Sequence, residues 1–173
     1  MRIKPIIPGT RPELAALEAG IQAERGRVSL LYQVLLNSPS LAQGWEQLLT
    51  AIRNRSSLPA DLREMVILRV AVLNRAAYEF EAHVPHALKA GFGQEKIDAL
   101  RDAGAAQAST VFSAQERSVL SLTDTMTRDI EVPDAIFEAV KVHFNDQQMT
   151  DLVATIAAYN MVSRFLTAFQ IGH

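Results

Sequence analysis

The chain has 173 residues, 49% hydrophobic and 21% charged, with 17 Lys+Arg, 19 Asp+Glu and a formal net charge of -2. This is enough apolar material for one packed domain, and it excludes a chain disordered by composition. The basic residues form no run and only 6% of the chain is aromatic, which excludes a basic nucleic-acid groove and a stacking platform for single strands. The chain has no cysteine, so a disulfide scaffold, a thiolate nucleophile and a thiolate metal site are excluded as well.

Residues 1–12 read as an irregular arm, broken by Pro5, Pro8, Gly9 and Pro12. Its two early basic residues precede no apolar run of signal-peptide length. Residues 13–173 form the domain. Residues 13–25 have helical composition and stop at Gly26. Residues 28–36 are apolar and end at Asn37-Ser38-Pro39. Ser38 or Ser40 can cap the next helix, over 41–53. Ser56-Ser57-Leu58-Pro59 is a break. The next helix, to about Asn74, is apolar nearly all round, as a helix in the middle of a bundle is. Its β-branched run also suits a central strand, but its length and helical flanks favour helix.

Further helices are expected over 76–90, with Gly91 as the left-handed residue after the last turn, and over 94–102. Ser113 and Glu116 make a capping box for a helix over 114–128. Pro133 opens another helix to about His143, and Asn145 or Asp146 caps the last, to about Phe169. No hairpin and no repeat is visible. The most apolar stretches, 65–73 and 152–162, are too short to span a bilayer, and the first carries Arg69. The expectation is a cytoplasmic, all-α bundle of about seven to nine helices, with no membrane or nucleic-acid partner.

The most informative stretch is residues 78–86. At about 100° per residue, Glu79, His83 and His86 share a narrow arc of one helix, beside an apolar arc of Phe80, Val84 and Ala87. Pro85 lies within that helix and frees the Glu81 carbonyl, so a local kink is expected. Three readings of the arc stand open: an ordinary i,i+4 surface pair of Glu79 and His83, a site for acid–base work, or metal ligation by Glu79, His83 and His86 at helical spacing.

Glu64 stands in the apolar helix. It is either desolvated and suited to proton transfer, or a first-turn glutamate favoured by the helix dipole or paired with Arg63 or Arg69. Arg75, three turns on, is too far along to touch Glu64. It is left to bind an anionic substrate or to be solvated. On the last helix Asn160, Arg164 and Thr167 form a polar stripe, read as an interface or an internal pairing.

Residues 62–71, followed by Tyr78-Glu79-Phe80, His83 and Ala90-Gly91, resemble the carboxymuconolactone decarboxylase family, whose wider superfamily includes alkyl hydroperoxidase D. Asn37-Ser38-Pro39 with Trp45, and Tyr159-Asn160 with Arg164, extend the likeness over roughly residues 28–170. In the hydroperoxidase branch a glutamate relays protons to a Cys-x-x-Cys pair followed by a histidine. By that resemblance Glu64 takes the glutamate position and His83 the histidine position. The cysteine positions fall on Ala76 and Glu79, so disulfide-forming peroxide reduction is ruled out.

The decarboxylase branch implies a lyase or isomerase that needs no metal or organic cofactor, acting on a small carboxylated lactone or enolisable metabolite. In this reading His83 does the acid–base work and Glu64 is its relay. Glu79, His86, Tyr78 and Arg75 bind substrate or support the pair. The resemblance also implies a homo-oligomer, a trimer or hexamer. The alternative is a non-catalytic oligomeric member whose polar face is structural.

Overall fold

A computed structural model describes residues 1–102 and 108–172. Among these the chain forms nine α-helices and no strand: α1 Ala15–Arg25, α2 Leu30–Leu35, α3 Pro39–Asn54, α4 Ala60–Leu73, α5 Ala77–Lys89, α6 Gln94–Leu100, α7 Ala114–Arg128, α8 Asp134–Lys141 and α9 Asp146–Phe169. The all-α expectation and its helix count hold. Contacts cluster into two compact units, residues 1–55 with 168–173, and residues 56–167.

Several helix ends follow local chemistry. The Ser113 capping box forms: Glu116 N–H donates to Ser113 Oγ at 3.2 Å, and Ser113 N–H to Glu116 Oε2 at 2.7 Å. A second box opens α9, with Gln148 N–H donating to Asn145 Oδ1 at 2.9 Å and Asn145 N–H to Gln148 Oε1 at 3.1 Å. Ser38 stands at the N-cap of α3 but its side chain caps nothing, and Pro39 fills the first position. Helix α5 runs through Pro85 to Lys89. It ends in a Schellman motif, with Gly91 N–H on Leu88 O, Phe92 N–H on Ala87 O and Gly91 at φ 87°. Helix α4 ends in the same motif (Arg75 N–H on Val72 O, Ala76 N–H on Ala71 O), but there the left-handed residue is Arg75, at φ 56°.

In the first unit the arm lacks regular structure up to a 3-10 turn at Pro12–Leu14. It is nevertheless tied down: Ile6 is buried and bonds through its N–H to Gln33 O, and Arg2 N–H bonds Phe169 O. Helices α1, α2 and α3 enclose a polar cluster on Glu46. Arg25 Nε lies 3.1 Å from both Glu46 oxygens, Thr50 Oγ1 donates to Oε1 at 2.7 Å, and the Tyr32 hydroxyl donates to Oε2. Burial, with the hydrogen bond to Glu46, pushes the Tyr32 phenol well above its ordinary pKa.

In the second unit α4 is the central element, packed chiefly on α5 and α7 and also on α6. Residues 64–71 of α4 are all buried, so an all-round apolar helix is fully used. The exception to its apolarity is Arg69, 1% exposed. Its guanidinium grips Asp124 of α7 with two parallel bonds (Nε to Oδ1 and Nη2 to Oδ2, each 2.6 Å). Its Nη1 bonds the carbonyls of Leu100 and Asp102 at 3.1 and 2.7 Å, at the end of α6. Burial of such a pair is tolerable because nearly every donor finds an acceptor.

The apolar stretch 152–162 is the middle of a longer helix. The helix around it has 24 residues, and its most apolar window is long and apolar enough by composition to cross a membrane; half of that window is buried inside the protein. Thr155, Asn160 and Ser163 are buried along it. That is the pattern of a helix packed on its own chain.

Asp124→Ala leaves the Arg69 guanidinium buried without its carboxylate. It is expected to destabilise the protein by about 3–5 kcal/mol, read as a drop in the urea midpoint.

Candidate active site

The site lies within the second unit and is built from α4, α5 and α9. Helices α4 and α5 are joined by three residues, so they pack as an antiparallel pair. That brings Glu64, in the second turn of α4, against His83, in the second turn of α5. His83 Nδ1 lies 2.7 Å from Glu64 Oε2. One turn back on α5, Glu79 Oε1 lies 3.3 Å from His83 Nε2. All three residues are buried, at 3%, 5% and 5% exposure for Glu64, His83 and Glu79. Tyr159 of α9, itself buried, meets the imidazole edge-on at 5.3 Å between ring centroids. The exposed His86 ring lies 5.5 Å from that of His83.

The imidazole is therefore clamped between two carboxylates, one on each nitrogen. Burial alone lowers its pKa. The hydrogen bonds to Glu64 and Glu79 and the attraction of both carboxylates outweigh that, and the imidazole is held protonated above its ordinary value. As an imidazolium it donates through both nitrogens.

The open readings of the sequence now separate. Glu64 is desolvated and lies beyond the first turn, so the helix dipole does not explain it. Of the two arginines considered as its partners, Arg63 comes only to 3.8 Å and Arg69 is taken by Asp124. Glu79 and His83 do pair at i,i+4, but in the interior and not on the surface. The metal reading falls: among the described residues no group of three His, Cys, Asp or Glu side chains is placed to hold a metal ion. Tyr78 is half-buried at the start of α5. Arg75 is exposed and lies in the join between α4 and α5, past the end of the helix.

The polar stripe of α9 divides. Asn160 is an internal clamp: its amide accepts from Asn74 at 2.9 Å and donates to Thr127 at 2.9 Å and to Ile156 O at 3.0 Å. Arg164 and Thr167 are exposed. Sequence reasoning named Tyr159 only as part of the family likeness, not beside His83, and missed Asp124. Asp124 had a usable signal, being an acid on the apolar side of α7 that matches the arginine in α4.

The sequence model of the carboxymuconolactone decarboxylase family matches residues 39–125. The chain belongs to that family. The uncharacterised protein YdfG of Bacillus subtilis (strain 168) is similar to it, 28% identical over 116 residues that cover 66% of this chain and 77% of that one. Among solved structures, a protein of unknown function from Agrobacterium tumefaciens, a candidate antioxidant defence protein AhpD, superposes with a TM-score of 0.74 at 24% identity, over 81% of this chain and 94% of that one. An uncharacterised peroxidase-related protein from Ralstonia eutropha JMP134, with an alkylhydroperoxidase AhpD core, gives 0.82 at 18% identity, over 98% and 90%. A debrominase in complex with 2,3,4-tribromopyrrole gives 0.81 at 16% identity, also over 98% and 90%. At these identities the likeness to solved structures fixes the fold. In this family member the fold is kept without any thiol.

Because the folded-state pKa of His83 lies above the unfolded value of 6.5, its stabilising contribution is complete below about pH 6.5 and is lost as pH rises through the folded value. The expected result is a urea midpoint that falls with rising pH across that window, and a flatter profile in His83→Gln. A His83→Gln profile as steep as the wild type would contradict the assignment.

Proposed function

We propose that this protein is a cofactor-free acid–base enzyme, a lyase of the decarboxylase kind or an isomerase, acting on a small carboxylated lactone or another enolisable metabolite. The observation that carries the reading is the buried Glu64–His83–Glu79 array, an imidazole with a carboxyl group on each ring nitrogen.

Such an array suits proton transfer at carbon. In decarboxylation the bond from the ring to the carboxylate carbon breaks, its electron pair enters the conjugated carbonyl as an enolate, and carbon dioxide leaves. An acid then delivers a proton to the carbon. In isomerisation a carboxylate takes the proton from one carbon and the acid returns one to another. His83 is the proton store and Glu64 holds its Nδ1 side. Nε2 faces Glu79, so a substrate exchanges its proton either with Glu79 or with His83 after Glu79 has moved aside. The neighbour that binds 2,3,4-tribromopyrrole supports a small, flat ring as the size of ligand to test first.

A second reading is a non-catalytic family member. It is favoured by the internal satisfaction of both His83 nitrogens and by the shallow exposure of all three residues. In both readings we take the protein as a cytoplasmic homo-oligomer, supported by the exposed Leu88 on α5 and Met161 on α9. A monomer by analytical ultracentrifugation would reject the assembly.

The discriminating experiment incubates the protein in D2O with a panel of carboxylated γ-lactones, followed by proton NMR for C–H exchange and by carbon dioxide release. Turnover is expected in the wild type. It should fall by about 100-fold or more in His83→Ala and in Glu64→Gln, with helical circular dichroism retained. Near-wild-type rates in both folded variants would sink the acid–base reading, and an inert wild type across the panel would favour the second.

A further inference from the structure

The end of α4 and the start of α5 enclose an open groove of about 310 Å3, at the small end of ligand pockets. Its walls are mostly apolar, from Ala71, Val72, Ala76, Ala77 and Phe80, with Arg75, Arg101 and the carboxylate-bearing Glu81 completing them. His83 lines no part of it. On α5 the groove residues lie on an arc adjacent to that of Glu79 and His83.

The two arginines differ. Arg101 is partly engaged: its guanidinium lies 4.2 Å over the Phe80 ring and its Nη2 is 3.2 Å from Glu81 Oε1. The Arg75 side chain makes no hydrogen bond or ion pair among the described residues, and its residue is left-handed at φ 56°. The equivalent position after α5 is Gly91, at φ 87°. Glycine takes this conformation freely and arginine does not. A strained residue with a side chain unused by the fold, placed on a groove wall, is a reason to look for a ligand.

We propose that this groove binds a small monocarboxylate with an apolar body, its carboxylate on the Arg75 guanidinium and its body against Ala76 and Phe80. A guanidinium fork matches a carboxylate with two parallel bonds. Glu81 offsets Arg101, so the groove presents one net positive charge, which suits a monoanion rather than a polyphosphate. The apolar floor offers no partners for a sugar. The inference does not rest on the acid–base reading, because the two sites use different arcs of α5.

The test titrates the labelled full chain with benzoate, and separately with neutral benzamide, following backbone amide shifts by NMR. Benzoate is expected to shift the Ala76, Ala77 and Phe80 amides, with benzamide about tenfold weaker. Arg75→Gly relaxes the left-handed residue, so its thermal midpoint should be equal or higher while benzoate affinity drops about tenfold. Arg75→Lys should fall between. His83→Gln should bind benzoate as the wild type does. The proposal is overturned by unchanged benzoate affinity in Arg75→Gly, by equal binding of benzamide, or by no shift at those amides at millimolar benzoate. Loss of binding in His83→Gln with retention in Arg75→Gly would also overturn it, by moving the ligand to the other arc.

Discussion

The ion pair between Arg69 and Asp124 sets the geometry of the second unit. It joins α4 to α7 and, through the Leu100 and Asp102 carbonyls, to the end of α6. A packed apolar interface alone tolerates small slides of one helix along another, because Leu, Val and Ile side chains offer similar contacts at neighbouring registers. A bidentate guanidinium in a dry interior does not. Moving α4 by one residue would strand both charges, so the pair selects one register. Glu64 lies five residues upstream on the same helix, and its height relative to His83 follows from that choice.

The Glu64–His83–Glu79 array answers a chemical question raised by the missing cysteines. A thiol at the Glu79 position would give the imidazole a partner able to change oxidation state. The carboxyl group of Glu79 there gives it a second oxygen partner. The imidazole then holds its proton more strongly than it would with one partner.

Much of this was legible in the sequence, for identifiable reasons. Helix ends followed local rules, so the Ser113–Glu116 box and Gly91 could be read directly. The shared arc of Glu79, His83 and His86 follows from helical period. The pairing of Glu64 with His83 required the family resemblance, since nothing within α4 says which neighbour it faces. The Schellman turn at Arg75 was hidden because glycine is its usual marker. The Asn160 clamp was read as a stripe with Arg164 and Thr167, although only Asn160 points inward, and periodicity does not rank residues within a stripe by depth. The groove was invisible because its apolar wall is made of alanines with Val72 and Phe80, which carry no chemical signature.

The three-residue join between α4 and α5 has a consequence for how the chain assembles. Glu64 and His83 are 19 residues apart along the chain, while Arg69 and Asp124 are 55 apart. Closing the longer loop costs about 1 kcal/mol more chain entropy. The acid–base contact is thus the cheaper of the two to make, and a helical hairpin holding it is complete before α7 has been reached along the chain. The buried Glu64–His83 contact is then already in place when the later helices dock, so the same contact that builds the candidate site also seeds the folding of the second unit.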